Sequence, residues 1–86
     1  MSVEYYRKKL IDLRKEVADE REAKKRDNER YAGYIKSATS TSSKASYRKQ
    51  KIEHAASHDR HIESLKRQIE SAKESLARER ERAKKK

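Results

Sequence analysis

Apolar and aromatic residues near the start of the chain fall at Val3, Tyr6, Leu10, Leu13 and Val17. The steps alternate between three and four residues, the a/d rhythm of a heptad repeat on one helix face. The register continues through Glu20, Lys24 and Asp27 to Tyr31 and Tyr34, so the stripe is apolar at both ends and polar in the middle. A second stripe has Ala55, Ile62, Ile69, Leu76 and Ala83 at a, with His58, Leu65, Ala72 and Glu79 at d. Between the stripes lies Ser37-Ala38-Thr39-Ser40-Thr41-Ser42-Ser43. Hydroxyl side chains there compete for backbone groups and favour caps and turns over helix interiors.

The pattern predicts an all-α fold, an antiparallel two-helix hairpin of coiled-coil type in one module over residues 1–86. The first helix is expected over about 3–36, the turn over about 37–43 and the second helix over about 44–84, with Thr41, Ser42 or Ser43 as N-cap. One continuous helix with a weak point at the Ser/Thr run is the alternative. With the turn centred near residue 40, facing residue numbers sum to about 81. Val17 then meets Ile62 and Leu65, Leu10 and Leu13 meet Ile69 and Ala72, and Val3 and Tyr6 meet Leu76. Near the tip, Tyr31, Tyr34 and Ile35 approach Tyr47 and Ile52. The expected seam is therefore Val3, Tyr6, Leu10, Leu13, Val17, Tyr31 and Tyr34 against Ile62, Leu65, Ile69 and Leu76. Acid-first i,i+4 pairs, Glu4 to Lys8, Glu20 to Lys24, Glu22 to Arg26, Glu63 to Arg67 and Glu74 to Arg78, are expected to support the outer faces.

Composition changes this picture in one respect. Of 86 residues, 31% are apolar and 47% charged, with no Trp, Phe or Pro. Two helices so composed bury a strip, not a core, and small scaffolds usually need another staple. Cysteine is absent, which excludes a disulfide or a thiolate metal site. Self-association into a four-helix bundle or a larger assembly, or docking on a partner, is the expected remedy. No apolar run approaches the ~18 residues needed to cross a bilayer, and the N-terminus reads as no signal peptide. The expectation is a cytoplasmic protein with no membrane partner, with export lacking such a signal left open.

Charge is the more informative feature. The net charge is +10, and from Arg30 to Ile52 there are six basic residues and no acidic one. The tip is thus a basic knob bearing Lys44, Arg48, Lys49 and Lys51. Heptad e positions carry Arg7, Arg14 and Arg21 on the first helix and Asp59, Lys66, Lys73 and Arg80 on the second. Antiparallel pairing brings e near e, so Arg14 would neighbour Lys66, and Arg7 would neighbour Lys73. An acidic partner protein or nucleic acid phosphate covering that edge would relieve the repulsion, whereas a solvated basic face is the plain alternative.

Candidate chemistry is sparse. His54, His58 and His61 share one face of the second helix, opposite Asp27 and Glu20. Histidines one turn apart facing carboxylates can ligate a metal, which makes His54 and His58 weak candidates. A polar layer that fixes helix register is the stronger expectation. There is no phosphate loop and no nucleophile elbow, and two helices build no ready pocket. Neither catalysis nor a cofactor is expected.

The run Glu4-Tyr5-Tyr6-Arg7-Lys8-Lys9-Leu10, the turn Ser40-Thr41-Ser42-Ser43-Lys44 and the spacing Ile62-x-x-Leu65-x-x-x-Ile69 resemble the helical hairpin at the N-terminus of some bacterial TIR-type (Toll/interleukin-1 receptor) proteins. That resemblance implies an assembly or sensing module ahead of an effector and carries over no catalytic residue. Tyr31-Ala32-Gly33 near the turn is similar to the Trp-x-Gly of type VII secretion hairpins. Here Tyr replaces the Trp, and no Tyr-x-x-x-Asp/Glu export signal follows the second helix. Three function classes follow: a self-associating or docking coiled coil, a basic nucleic-acid binder, and a secretion-type hairpin partner.

Overall fold

A computed structural model describes residues 2–85 as two α-helices, α1 (Ser2–Ser37) and α2 (Thr41–Lys84). They pack along their length as an all-α hairpin. The pairing follows the sequence rule at three positions: Tyr34 beside Tyr47, Asp27 beside His54 and Glu20 beside His61. The molecule is a rod of 70 × 14 × 11 Å with a radius of gyration of 19.7 Å. A compact domain of this length would have a radius of gyration of about 12 Å.

The turn is shorter than the expected 37–43, because the hydroxyl run contributes to both helix ends. Ser40, in extended conformation, is the N-cap of α2, one residue before the three expected candidates. Its Oγ accepts from the Ser43 backbone N–H at 3.0 Å and meets the Ser43 hydroxyl at 2.9 Å. That satisfies one of the donors orphaned at a helix start. At the end of α1, the Ser37 hydroxyl donates to the Gly33 carbonyl at 2.6 Å, and the Ala38 N–H closes one more turn onto Tyr34. The only glycine needs no special backbone: Gly33 is helical without positive φ, and a Cβ there would meet open space.

The core is the expected strip. Leu10, Leu13 and Val17 of α1 pack with Ile62, Leu65, Ala72 and Leu76 of α2, and Val3, Tyr6 and Ile69 lie half-buried against them. Ala72, a d residue, is buried as deeply as Leu65, both 3% exposed. Tyr31 is buried apart from this cluster, nearer the tip. Tyr34 departs from expectation: it is 44% exposed. It meets Tyr31 edge-on at 5.6 Å and leans on Tyr47 at 5.3 Å. Those two rings leave the outer side of Tyr34 open.

The outer faces also differ from expectation. Salt bridges within a helix run i,i+3: Glu4–Arg7, Asp27–Arg30, Glu70–Lys73 and Glu79–Arg82. None of the five expected i,i+4 pairs is among them. Glu20 in particular turns inward to the histidines. Pairs between neighbouring turns of one helix are screened by solvent and add little, so the helices are held chiefly by the seam.

Candidate functional site

Two regions carry the chemistry. The first is the polar middle of the seam. His58 occupies a d position, and in a coiled coil a d side chain enters the hole between residues of the facing helix. The hole on α1 is bounded by Glu20 and Asp27, so one imidazole reaches both. Its Nδ1 bonds Glu20 Oε1 and its Nε2 bonds Asp27 Oδ2 at 2.6 Å. Carboxylates only accept, so both bonds at once require an N–H on each ring nitrogen, which is the imidazolium form. The hydrogen bonds to Asp27 and then Glu20 raise the His58 pKa above 6.5 against an opposing effect of burial. The hydrogen bond from His58 in turn lowers Glu20 below 4.5 and Asp27 below 3.8. The three side chains are only 17–20% exposed.

The flanking groups extend the layer in both directions. His61 Nδ1 lies 3.0 Å from Glu20 Oε2, and Arg30 donates to Asp27 at 2.8 Å. His54 Nδ1 stands 3.7 Å from Asp27, and its Nε2 lies 3.1 Å from the Tyr31 hydroxyl. With its N–H on Nδ1, the His54 ring accepts a hydrogen bond from the Tyr31 hydroxyl at Nε2. Lys24 reaches Asp59 across the helices at 2.7 Å. Among the described residues no buried side-chain nitrogen or oxygen lacks a partner. No group of three or more His, Cys, Asp or Glu among them is placed to hold a metal ion. The two candidate ligands, His54 and His58, are instead engaged by carboxylates and a tyrosine. Sequence spacing alone paired each carboxylate with the ring directly opposite. The d position of His58 was the available signal that one ring would serve both.

The second region is the basic surface. Arg7, Arg14, Arg21, Arg48, Lys49, Lys66, Lys73 and Arg80 are exposed, while Lys44 and Lys51 are half-buried. Arg7 and Arg14 of α1 line a shallow groove of about 520 Å³ with Lys73 and Arg80 of α2, and Leu10, Ile11, Leu76 and Ala77 supply its apolar surface. Lys66, expected beside Arg14, lines a different groove on α2 with Glu63, Arg67, Glu70, Ser71 and Glu74. A third groove nearer the tip combines Ile35, Ile52 and Ala55 with Asn28, Arg48 and Lys51. Ile11 and Ile52 stand 65% and 70% exposed. No described helix is long and apolar enough to cross a membrane. The chain matches no family model, no curated protein and no solved structure.

Proposed function

We propose that the hairpin is a non-enzymatic coiled-coil module that works by docking helix against helix, either by self-association or on a helical partner. The observation that carries this is the thinness of the seam. Among the described residues eight hydrophobic side chains are buried along a 70 Å rod, and none of them is covered completely. Two large aliphatics, Ile11 and Ile52, are left in solvent. A third or fourth helix would convert that strip into the enclosed core of a bundle. The shallow grooves, and a His58 whose two ring nitrogens are both taken by carboxylates, favour a surface role over catalysis. The resemblance to hairpins that precede TIR-type domains fits an assembly module of a bacterial defence-type effector.

The basic tip supports a second proposal, nucleic-acid binding. Arg30, Lys36, Lys44, Arg48, Lys49 and Lys51 are uninterrupted by acid, beside the exposed ring of Tyr34. Light scattering at low and high salt, with and without duplex DNA, separates the two. Helix docking predicts a dimer or larger species that persists in high salt. DNA binding predicts a complex that dissolves steeply as salt rises, by counterion release. A helical monomer whose stability depends on neither concentration nor partner contradicts the docking proposal.

A further inference from the structure

We infer that the hairpin edge bearing Arg7, Arg14, Lys73 and Arg80 is a docking groove for an acidic amphipathic helix of a partner protein. The inference rests on the helix-docking proposal and names the surface and the partner's chemistry.

The first ground is charge. Antiparallel pairing brings the e positions of both helices to one edge. On α1 these are Arg7, Arg14, Arg21, Asn28 and Ile35, with no acid among them. On α2 the acid at these positions is Asp59, and Lys24 holds it at 2.7 Å. Among the described residues Arg7 and Lys73 reach carboxylates only on their own helices, three residues away in solvent. Among the described residues Arg14 and Arg80 have no carboxylate within 4.0 Å. Cations from both helices therefore line one groove without counter-charge between them.

The second ground is the apolar surface between those cations. Leu10 and Leu76 form the floor, and Ile11 and Ala77 flank it. Further along the same edge, Ile35 and Ile52 form a second apolar patch beside Arg48 and Lys51. Ile11 and Ile35 are separated by about 36 Å of helix, so an occupant spanning both patches needs about 24 helical residues.

The combination selects the occupant. A second copy docked symmetrically through this edge would set arginine against arginine. A nucleic acid backbone would answer the charges and leave the isoleucines in water. A helix with an apolar stripe flanked by Glu or Asp answers both, seating its stripe on Ile11 and Ile52 and its carboxylates on the rims.

The test uses the whole chain and a labelled synthetic helix of about 28 residues, Leu at a and d and Glu at e and g, read by fluorescence anisotropy. Three competitors accompany it: the same helix with Lys for Glu, polyglutamate, and duplex DNA. The acidic helix is expected to bind and all three competitors to bind at least about tenfold more weakly. Arg14→Glu with Lys73→Glu should weaken binding about tenfold or more, and Ile11→Ser about fivefold. All three positions are exposed, and unchanged circular dichroism confirms that the variants fold. Equal binding by polyglutamate, DNA or the Lys helix overturns the inference, as does an Ile11→Ser variant that binds normally. If no helix binds yet the chain still self-associates, this inference fails and the docking proposal stands. A stable monomer that binds nothing removes both.

Discussion

Leu65 is the side chain on which the hairpin's stability should depend most. It is 3% exposed at a d position of α2 and belongs to the cluster that joins the two helices. Leu65→Ala removes three carbons from that cluster, about 2.4 kcal/mol at 0.8 kcal/mol per buried methylene. Cavity formation raises such losses toward 5 kcal/mol in rigid cores, but a two-helix strip can close over the gap. A loss of about 2–3 kcal/mol follows. Typical stability for a chain of this length is about 4–13 kcal/mol, and a strip belongs at the low end. The variant should therefore lose roughly half its stability, and Tm should fall by about 10–20 °C. Ile11→Ala is the matched control. It also shortens an aliphatic side chain, but at a site 65% exposed, where about 0.5 kcal/mol or less is expected. Thermal melts by far-ultraviolet circular dichroism at one fixed chain concentration decide it. Equal shifts for Leu65→Ala and Ile11→Ala would refute the claim that the seam holds the hairpin together.

Stability should also depend on pH through the histidine layer. The raised pKa of His58 contributes stability that is full below 6.5 and disappears as pH rises through the higher folded value. The lowered values of Glu20 and Asp27 contribute above 4.5 and 3.8 and are lost as pH falls through lower folded values. Tm should therefore peak in mildly acidic solution, between those limits, and fall toward alkaline pH; His58→Asn should remove the alkaline fall, and a flat wild-type profile would contradict the bridging geometry. Ser40→Ala removes the α2 N-cap and should cost about 1 kcal/mol in urea unfolding, whereas Thr41→Ala should cost much less. Gly33→Ala should stabilise by about 0.5–1 kcal/mol, since the position is helical and open; a destabilised variant would show that Gly33 is covered in solution.

Much of this was legible in the residue pattern, and the exceptions have identifiable causes. Alternating three- and four-residue steps defined the helix faces, and matching the two apolar stretches defined the pairing. Both depend on period and length, which a sequence displays directly. The N-cap was harder to place. Five consecutive hydroxyl residues, Thr39 to Ser43, can each cap a helix, and the helix starts after Ser40, whose backbone is extended. Glu20 was legible in two conflicting ways. Its heptad position and the facing histidines place it in the seam, while Lys24 one turn on makes it half of an ordinary surface pair. One carboxylate cannot serve both, and the two imidazoles within its reach draw it inward. Tyr34 kept the heptad register yet stayed exposed, because register assigns a direction and burial needs a neighbour beyond it. The basic edge was visible as like-charged e positions, but its exposed Ile11 lies off the heptad seam and drew no notice as a surface residue.

The thermal midpoint of the dilute chain, with and without a saturating acidic amphipathic helix, tests most directly whether this hairpin is built to be covered. Binding at about a hundredfold above Kd adds about 2.7 kcal/mol to the folded state, so Tm should rise by about 10–20 °C. An unchanged Tm in a chain that also melts identically at every concentration would mean that the two helices are sufficient alone.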